Sequence, residues 1–277
     1  MRFGLDCSQH QQPWDEILAR VQFAEDAGFE GAWVFDHFKP LYGDPSGPCF
    51  EGWTLLAALA ARTKRVRLGT LVTGITYRHP SVLAAEAVTI DHISNGRLEL
   101  GLGAAWNDTE HRQLGIEFPS NAERARRLEE GVQIIKLLMT QNGASFDGRY
   151  YTLDEASYGP RPVQRPHPPL WIGARGEQLM LPLVARHADV WHSFGRPDSV
   201  VRKSKIIDRA AEEADRDPSE IKRAGGLSLS EPWDEVRANI DALAAAGFFY
   251  LVVSYPSEGK PRLDEFVDKV LPDFLEA

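Results

Sequence analysis

Short apolar runs alternate along this chain with longer segments in which apolar residues recur every three to four positions. The short runs, bounded by glycine, proline or acidic residues, predict β-strands, and the periodic segments predict amphipathic helices. We predict strands at Arg2–Cys7, Gly31–Asp36, Val66–Val72, Arg97–Leu102, Leu170–Gly173, Asp189–Ser193, Arg223–Leu229 and Phe249–Tyr255. Helices are predicted at Trp14–Ala27, Trp53–Thr63, Ser81–Ile93, Asn121–Thr140, Glu177–Arg186, Asp198–Asp215, Glu231–Ala246 and Leu263–Leu275.

The order of these elements predicts an α/β protein, a single (β/α)8 TIM barrel that forms one domain over residues 1–277. Eight strand-then-helix units in succession are the count of a closed barrel. A doubly wound open sheet is the rival architecture. The chain has no G-x-G-x-x-G motif opening a βαβ unit, which disfavours that rival.

One segment interrupts the alternation just before the fifth strand. The stretch between Thr140 and Leu170 is too long for a simple connection between a helix and a strand. Its aromatic and glycine-containing part, Phe146–Tyr151, predicts a small hairpin, and the proline-rich part that follows is expected to be extended. We therefore predict a short insertion in the barrel rather than a second domain.

Charge and cysteine content narrow the class of protein. Forty acidic residues against 31 basic ones give a net charge of −9, which argues against nucleic-acid binding and against attachment to anionic membranes. Cys7 and Cys49 match no metal-site or disulfide spacing. The N-terminal sequence is unlike a signal peptide, and no apolar run has membrane-spanning length, so we expect a cytoplasmic protein.

Asp36 and His37 are the most informative candidate site residues. They end an apolar strand, and barrel enzymes carry their sites at the carboxyl ends of the strands. An equally acceptable interpretation is that Asp36 caps the following turn and His37 is structural. The active-site interpretation of these two residues is favoured only when the residues at the other strand ends are considered with them.

The other strand ends are mostly small, apolar or aromatic. Leu71-Val72-Thr73 follows the third strand, and Ala104, Trp106 and Asn107 follow the fourth. The run Gly173-Ala174-Arg175-Gly176-Glu177 is expected to open a helix, whose free amides would attract an anion, although a simple tight turn explains it too. Ser193 ends the sixth strand. Such a mouth suits a large planar cofactor that brings its own reactivity.

Other chemistries lack support in the sequence. The chain contains no H-E-x-x-H, G-x-S-x-G or Walker A pattern. A metal site would need several ligands among the strand ends, where Asp36 and His37 stand out alone, so no metal is expected.

Several ordered blocks resemble the luciferase-like flavin and deazaflavin oxidoreductases, most of all the bacterial members that use coenzyme F420. The resemblance covers about residues 1 to 255 and rests on five blocks in the right order. They are Ala27-Gly28-Phe29 leading to Val34–Phe38, Arg67–Thr73 followed by Tyr77–Pro80, Ile93–Gly103, Phe146–Tyr151 and Pro168–Gly173.

This resemblance implies roles for individual residues. It implies a (β/α)8 fold, a non-proline cis peptide between Leu71 and Val72 that supports the central cofactor ring, and His37 as the catalytic proton carrier. It implies cofactor contacts at Asp36, Leu71, Val72, Ala174, Arg175, Gly176, Glu177 and Ser193. We predict further cofactor contacts at Thr73, Ala104, Trp106 and Asn107 from their positions at the strand ends. The chain departs from the family pattern at Ala174, where a glycine is usual, so its grip on the phosphate arm is expected to differ.

The function implied is an F420-dependent oxidoreductase that transfers a hydride between C5 of the deazaflavin and a small organic substrate. Two alternatives stay open. One is an FMN-dependent monooxygenase of the same superfamily that uses reduced flavin and O2, and the other is a barrel that binds a flavin-like ligand without turnover. A homodimer is expected by the same resemblance.

Overall fold

The structure is a computed structural model that describes residues 1–157 and 159–275. Its strands are β1 (Arg2–Asp6), β2 (Gly31–Val34), β3 (Arg67–Thr70), β4 (Thr73–Gly74), β5 (Leu98–Gly103), β6 (Ala144–Asp147), β7 (Thr152–Ala156), β8 (Leu170–Gly173), β9 (Val190–Ser193), β10 (Lys222–Leu227) and β11 (Phe248–Val253). Its α-helices are α1 (Trp14–Asp26), α2 (Gly52–Arg62), α3 (Pro80–Ile93), α4 (Asp108–Leu114), α5 (Asn121–Thr140), α6 (Met180–His187), α7 (Pro197–Glu212), α8 (Trp233–Ala245) and α9 (Lys260–Lys269). Short 3-10 helices lie at Pro218–Glu220 and Leu271–Asp273.

Eight parallel strands close into a barrel, as the sequence predicts. The strand order is β3-β2-β1-β11-β10-β9-β8-β5, and a pairing of β3 with β5 joins the two ends of the sheet. In that closing pair Leu68 lies opposite Leu98 and Gly69 opposite Glu99. A doubly wound sheet would leave two open edges, so this pairing excludes the rival architecture.

Two layers of apolar side chains hold the barrel together. The larger one packs the outward face of the strands against the helices, with residues such as Leu5, Leu56 and Leu98 fully buried. The smaller one fills the barrel interior with Trp33 and Trp171, whose ring centroids lie 4.6 Å apart, together with Tyr250, Val190, Ala224 and Val252. Because these residues precede the strand ends, the interior is solid below the carboxyl rim of the barrel.

The third barrel strand is interrupted by a bulge. β3 ends at Thr70, and β4 resumes at Thr73 and pairs with β5. The peptide bond between Leu71 and Val72, which forms the bulge, is cis, so this prediction is confirmed.

The insertion before the fifth barrel strand contains a hairpin, which also confirms the prediction. Strands β6 and β7 pair antiparallel, with Phe146 opposite Leu153 and Asp147 opposite Thr152. The side chain of Glu130 on α5 accepts the backbone amides of Arg149, Tyr150 and Tyr151, which fixes the hairpin turn against the barrel.

Two predicted helices are corrected, and one helix was not predicted. The helix predicted at Glu177–Arg186 begins at Met180, because Glu177–Leu179 form a turn in which the Gly176 carbonyl accepts the Met180 amide at 3.1 Å. The helix predicted at Leu263–Leu275 is Lys260–Lys269, since Pro272 has no amide to donate to the carbonyl four residues before it and cannot continue the α-helix. α4 was not predicted, because a polar helix of seven residues shows no apolar period.

Candidate active site

The carboxyl ends of the barrel strands surround a cavity of about 1180 Å³. All but two of the predicted site residues line it: Asp36, His37, Leu71, Val72, Ala104, Trp106, Ala174, Arg175, Gly176, Glu177 and Ser193. The exceptions are Thr73 and Asn107. The Thr73 hydroxyl bonds Thr70 Oγ1 at 2.7 Å and accepts Trp53 Nε1–H at 2.9 Å, while Asn107 Oδ1 caps α4 by accepting the Glu110 amide at 3.1 Å.

His37 is held by a buried carboxylate that the sequence did not reveal. Its Nδ1 lies 2.7 Å from Glu110 Oε2, and the two residues are 8 % and 2 % exposed. Glu110 stands in the first turn of α4, three residues after the capping Asn107. The sequence signal for this helix is the spacing of Asn107 and Glu110, a cap residue followed three positions later by an acid.

Four donors converge on the Glu110 carboxylate. Its Oε1 accepts the backbone amides of Phe38 at 2.7 Å and Lys39 at 3.1 Å, and its Oε2 accepts the Tyr77 hydroxyl as well as the His37 ring. Burial alone raises the pKa of Glu110, but the hydrogen bonds from His37, Tyr77 and the backbone outweigh burial and hold that pKa below its ordinary value. An ionised carboxylate has no proton to donate, so His37 Nδ1 donates its proton to Glu110, and in the neutral ring Nε2 is then the nitrogen with the free lone pair.

Asp36 is paired with an arginine rather than left free. Arg78 Nη1 lies 2.6 Å from Asp36 Oδ2 and Arg78 Nη2 lies 3.1 Å from Asp36 Oδ1, a two-pronged ion pair with Asp36 1 % exposed. Arg78 also reaches Glu51 Oε1 at 3.0 Å. Burial raises the pKa of Asp36, and the Arg78 guanidinium opposes that rise. Contact between Asp36 and a cofactor stays a prediction.

Aromatic and arginine side chains complete one side of the mouth. Trp106 is 64 % exposed, and its ring stands edge-on to His37 with centroids 5.5 Å apart. Arg124 of α5 donates to the Ala104 carbonyl at 3.1 Å and lies 3.8 Å from the centroid of the Phe118 ring. This arrangement fixes the small-residue loop after β5 beside His37.

The loop after β8 differs from the expectation of a helix that opens directly at Arg175. Because α6 begins at Met180, the anion-attracting helix end is separated from Ala174 and Arg175 by a turn. The loop nevertheless lines the cavity, and Arg175 is exposed there. Glu177 is engaged by Arg202, whose Nη1 lies 3.1 Å from Glu177 Oε2. Binding of a phosphate arm by this loop stays a prediction.

Two further histidines line the cavity and were missed. His10 follows β1, and His192 precedes Ser193 on β9. Burial, and next the charge of His37, lower the pKa of His10 to about 4. Burial, and next the charge of Arg175, lower the pKa of His192 to about 3. Both imidazoles are therefore neutral at pH 7.

The cavity fits a flat heterocycle. A Cβ atom on Gly103 would stand 2.6 Å from Val72 Cγ2, and one on Gly173 would stand 2.9 Å from Val72 Cγ1, so these glycines let Val72 pack tightly behind the bulge. The bulge thereby presents a firm apolar surface to the cavity. In the described residues, His192 Nε2 is buried without a hydrogen-bond partner, which is the state expected of an atom that bonds a ligand or a water molecule.

Comparison with known proteins agrees with this geometry. The sequence model of the luciferase-like monooxygenase family matches residues 1–263, and the chain belongs to that family. An F420-dependent glucose-6-phosphate dehydrogenase of Microbacterium testaceum (strain StLB037) is 36 % identical over 179 residues, which are 64 % of this chain and 52 % of that protein. An F420-dependent hydroxymycolic acid dehydrogenase of Mycobacterium tuberculosis (strain ATCC 25618 / H37Rv) is 31 % identical over 223 residues, which are 80 % of this chain and 61 % of that protein.

A solved structure supports the fold over the whole chain. It is an F420-dependent secondary alcohol dehydrogenase in complex with an F420-acetone adduct, with a TM-score of 0.89 at 21 % identity and 99 % of each chain covered. The chain spans about half the length of the first curated relative that it matches. In the described residues no helix is both long and apolar enough to cross a membrane.

Proposed function

We propose that this protein is an F420-dependent oxidoreductase that transfers a hydride between C5 of the deazaflavin and a small organic substrate. The observation that carries the proposal is the His37–Glu110 pair. It places one proton-accepting imidazole nitrogen at a mouth that is otherwise mostly apolar, beside a bulge suited to a planar ring. The relatives named F420-dependent support the choice of cofactor.

The cofactor would rest on the bulge and extend towards the loop after β8. Leu71 and Val72 would support its ring, Ala104 would let it approach the backbone, and Ala174–Glu177 with Ser193 would hold its phosphate arm. When bound, the deazaflavin supplies a two-electron centre that accepts or donates a hydride. The protein's part is then to orient that centre, exclude water and handle one proton.

His37 would handle the proton. Its Nε2 takes a proton from the substrate in one direction of the reaction and returns it in the other. Glu110 stabilises the resulting imidazolium because its charge and its hydrogen bond to Nδ1 favour the protonated ring. Tyr77 and the two backbone amides keep Glu110 ionised and in place.

Titration of the apoprotein with F420 and with FMN, followed by fluorescence, tests the proposal. We expect micromolar binding of F420 and much weaker binding of FMN. The reverse result would assign the protein to the FMN-dependent monooxygenases, and binding of neither would reject both functions. Mixing the F420-bound protein with a small panel of alcohols and carbonyl compounds, and following cofactor absorbance, then separates an oxidoreductase from a passive binder.

We further propose a cytoplasmic homodimer. Val82 and Ile93 on α3 are 50 % and 44 % exposed, and Val163 of the insertion is 41 % exposed, so this side of the barrel offers apolar surface to a second copy. Cys7 and Cys49 are unpaired, which suits a reducing compartment. Light scattering after size-exclusion chromatography should give twice the chain mass of 30.9 kDa, and Val82→Lys should reduce it towards the single-chain value.

A further inference from the structure

His10 is held in one orientation at the cavity by three contacts. Its ring stacks on Phe35 with centroids 3.9 Å apart and lies 4.5 Å from the ring of Tyr42. Its Nδ1 lies 3.1 Å from the Leu41 backbone nitrogen. The residue is 6 % exposed and lines the same cavity as His37.

The contact with Leu41 fixes where the His10 proton sits. A backbone amide can only donate, so His10 Nδ1 must accept, and the neutral ring then carries its proton on Nε2. Within residues 1–157 and 159–275, no atom accepts a hydrogen bond from that Nε2–H. His10 thus offers a neutral N–H donor that is available to a ligand in the cavity.

His37 and His10 have opposite proton character. His37 is bonded to Glu110 through Nδ1 and offers a lone pair on Nε2, whereas His10 accepts through Nδ1 and offers a proton on Nε2. Both rings contact Phe35, at centroid distances of 5.4 Å for His37 and 3.9 Å for His10. A hydroxyl oxygen can donate to one such nitrogen and accept from the other, which a C=C or C=N group cannot do.

We propose that His10 is a substrate-positioning residue that donates its Nε2–H to the oxygen of a carbinol or carbonyl substrate while His37 exchanges the proton of that oxygen. This inference rests on the proposed function. It narrows the small organic substrate to the alcohol and carbonyl class.

The reaction balances with the oxidised deazaflavin as the electron acceptor. The substrate O–H bond breaks and its proton goes to His37 Nε2. A bound oxidised deazaflavin would supply the two-electron acceptor: the carbinol C–H bond would break, its hydrogen would leave with both electrons, and a C=O bond would form in the oxidised substrate. The proton held by His37 is then released to solvent or to the reduced cofactor. In alcohol oxidation, the His10 N–H bond to the substrate oxygen holds the carbinol C–H bond in position. In carbonyl reduction, the same N–H polarises the C=O bond, a role that a neutral imidazole can play.

Binding of cyclohexanone to the F420-loaded protein tests the role of His10 without turnover. His10→Phe keeps an aromatic ring against Phe35 and removes the N–H, so we expect about tenfold weaker binding by calorimetry. The infrared C=O stretch of bound cyclohexanone should lie below its value in an apolar solvent, and His10→Phe should reduce that shift. His10→Gln, whose amide can donate, should restore both to within about threefold of wild type. F420 affinity should be the same in all three proteins.

A matched control separates hydrogen bonding from loosening of the loop over the cavity. Gln11 donates to the Tyr42 carbonyl at 3.1 Å and the Asp44 carbonyl at 2.6 Å, so Gln11→Ala relaxes the loop but leaves His10 intact. It should preserve the infrared shift. An equal loss in Gln11→Ala and His10→Phe would overturn the inference.

The remaining outcomes show whether the role of His10 fails alone or fails together with the proposed function. Absence of F420 binding to the wild-type protein would remove the proposed function and the inference together. Binding of F420 with no binding of cyclohexanone, acetone or benzaldehyde would overturn the inference alone. Unchanged ketone affinity and C=O frequency in His10→Phe would do the same.

Discussion

At the scale of single residues, the tautomer of His37 is set by Glu110. The carboxylate is saturated by four donors, and each of its oxygens accepts two of them. An imidazole facing such a group must present N–H towards it, which leaves its other nitrogen free to act as a base. Chemistry at His37 Nε2 therefore depends on a residue that need not touch the substrate.

Glu110→Gln should invert this tautomer. The amide oxygen can still accept the Phe38 and Lys39 backbone amides, while the amide NH2 would donate to His37 Nδ1 and move the ring proton to Nε2. An analogous change in a serine protease triad has this effect. Nitrogen NMR of the neutral His37 ring should show a proton on Nδ1 in wild type and on Nε2 in the variant.

Tyr77→Phe is the matched control, because it removes one donor from Glu110 and leaves the His37 bond in place. Its spectrum should resemble that of wild type. With an alcohol that the wild-type protein oxidises, Glu110→Gln should slow hydride transfer by about 100-fold or more, and Tyr77→Phe should slow it less. A wild-type spectrum for Glu110→Gln would contradict the assignment.

His192 should make the fold sensitive to acid. Its pKa is lowered to about 3 by burial, so between that pH and about 6.5 the unfolded chain binds a proton that the folded chain does not. The free energy of unfolding should therefore fall as the pH drops below about 6.5. From this group alone the loss is about 2 kcal/mol between pH 7.5 and pH 5.

Urea unfolding at several pH values measures this effect. His192→Gln has no titrating group and keeps a polar atom near the position of Nε2, so its stability should decline less steeply over the same pH range. His10, whose pKa is about 4, should leave a residual decline of the same sign in both proteins. Parallel pH profiles for wild type and His192→Gln would show that His192 does not carry the effect.

At the scale of elements, the bulge between β3 and β4 depends on glycines in the neighbouring strands. Val72 occupies the space beside Gly103 of β5 and Gly173 of β8. β4 then pairs with β5, with Thr73 opposite Leu102 and Gly74 opposite Gly103. The surface proposed to carry the cofactor is thus built by three adjacent strands.

Gly103→Ala should disturb this surface. Its Cβ would stand 2.6 Å from Val72 Cγ2, and overpacking of this kind costs about 1–3 kcal/mol of unfolding free energy. Gly225→Ala is the control, because its Cβ would meet its nearest neighbour at an ordinary 3.4 Å. Denaturant unfolding should show the loss in the first variant and little change in the second.

A second substitution tests the cause. Adding Val72→Ala to Gly103→Ala removes the methyl groups that would collide, so the double variant should recover part of the lost stability. If the double variant is no more stable than Gly103→Ala alone, the contact with Val72 is not the cause of the destabilisation.

At the scale of the whole molecule, the barrel is closed by strands from opposite ends of the chain. β11 lies between β1 and β10, and its pairing with β1 sets Phe3 opposite Leu251 and Leu5 opposite Val253. Residues separated by nearly the full length of the chain therefore belong to one sheet. This arrangement favours a single cooperative unit, although the extent of the domain over residues 1–277 stays a prediction.

Unfolding of the protein should accordingly occur in one transition. Far-ultraviolet circular dichroism, which reports the helices, and tryptophan fluorescence, which reports interior residues such as Trp33 and Trp171, should give coincident curves in denaturant. Two separated transitions would indicate that part of the chain folds independently. A variant truncated before β11 should fail to fold, because β1 and β10 would both be left as open edges.

Much of the site could be predicted because barrel enzymes carry their chemistry at the strand ends. Asp36, His37 and the Leu71–Val72 bulge follow from that rule and from the family resemblance, and all of them line the cavity. Glu110 could not be found in this way, since it belongs to a short helix and lies 73 positions from His37 in the chain. His10 obeys the same rule, since it follows β1 and lines the cavity.

The sequence by itself determined the elements and their order, because helices and strands arise from apolar periodicity and hydrogen bonds that are mostly local. Helix α5, predicted at Asn121–Thr140, has those bounds in the structure. Tertiary structure decided the proton chemistry. Asp36 meets Arg78 across 42 positions, and His37 meets Glu110 across 73. Charge pairing and tautomers depend on distances of a few ångströms between side chains, and closure of the barrel sets those distances.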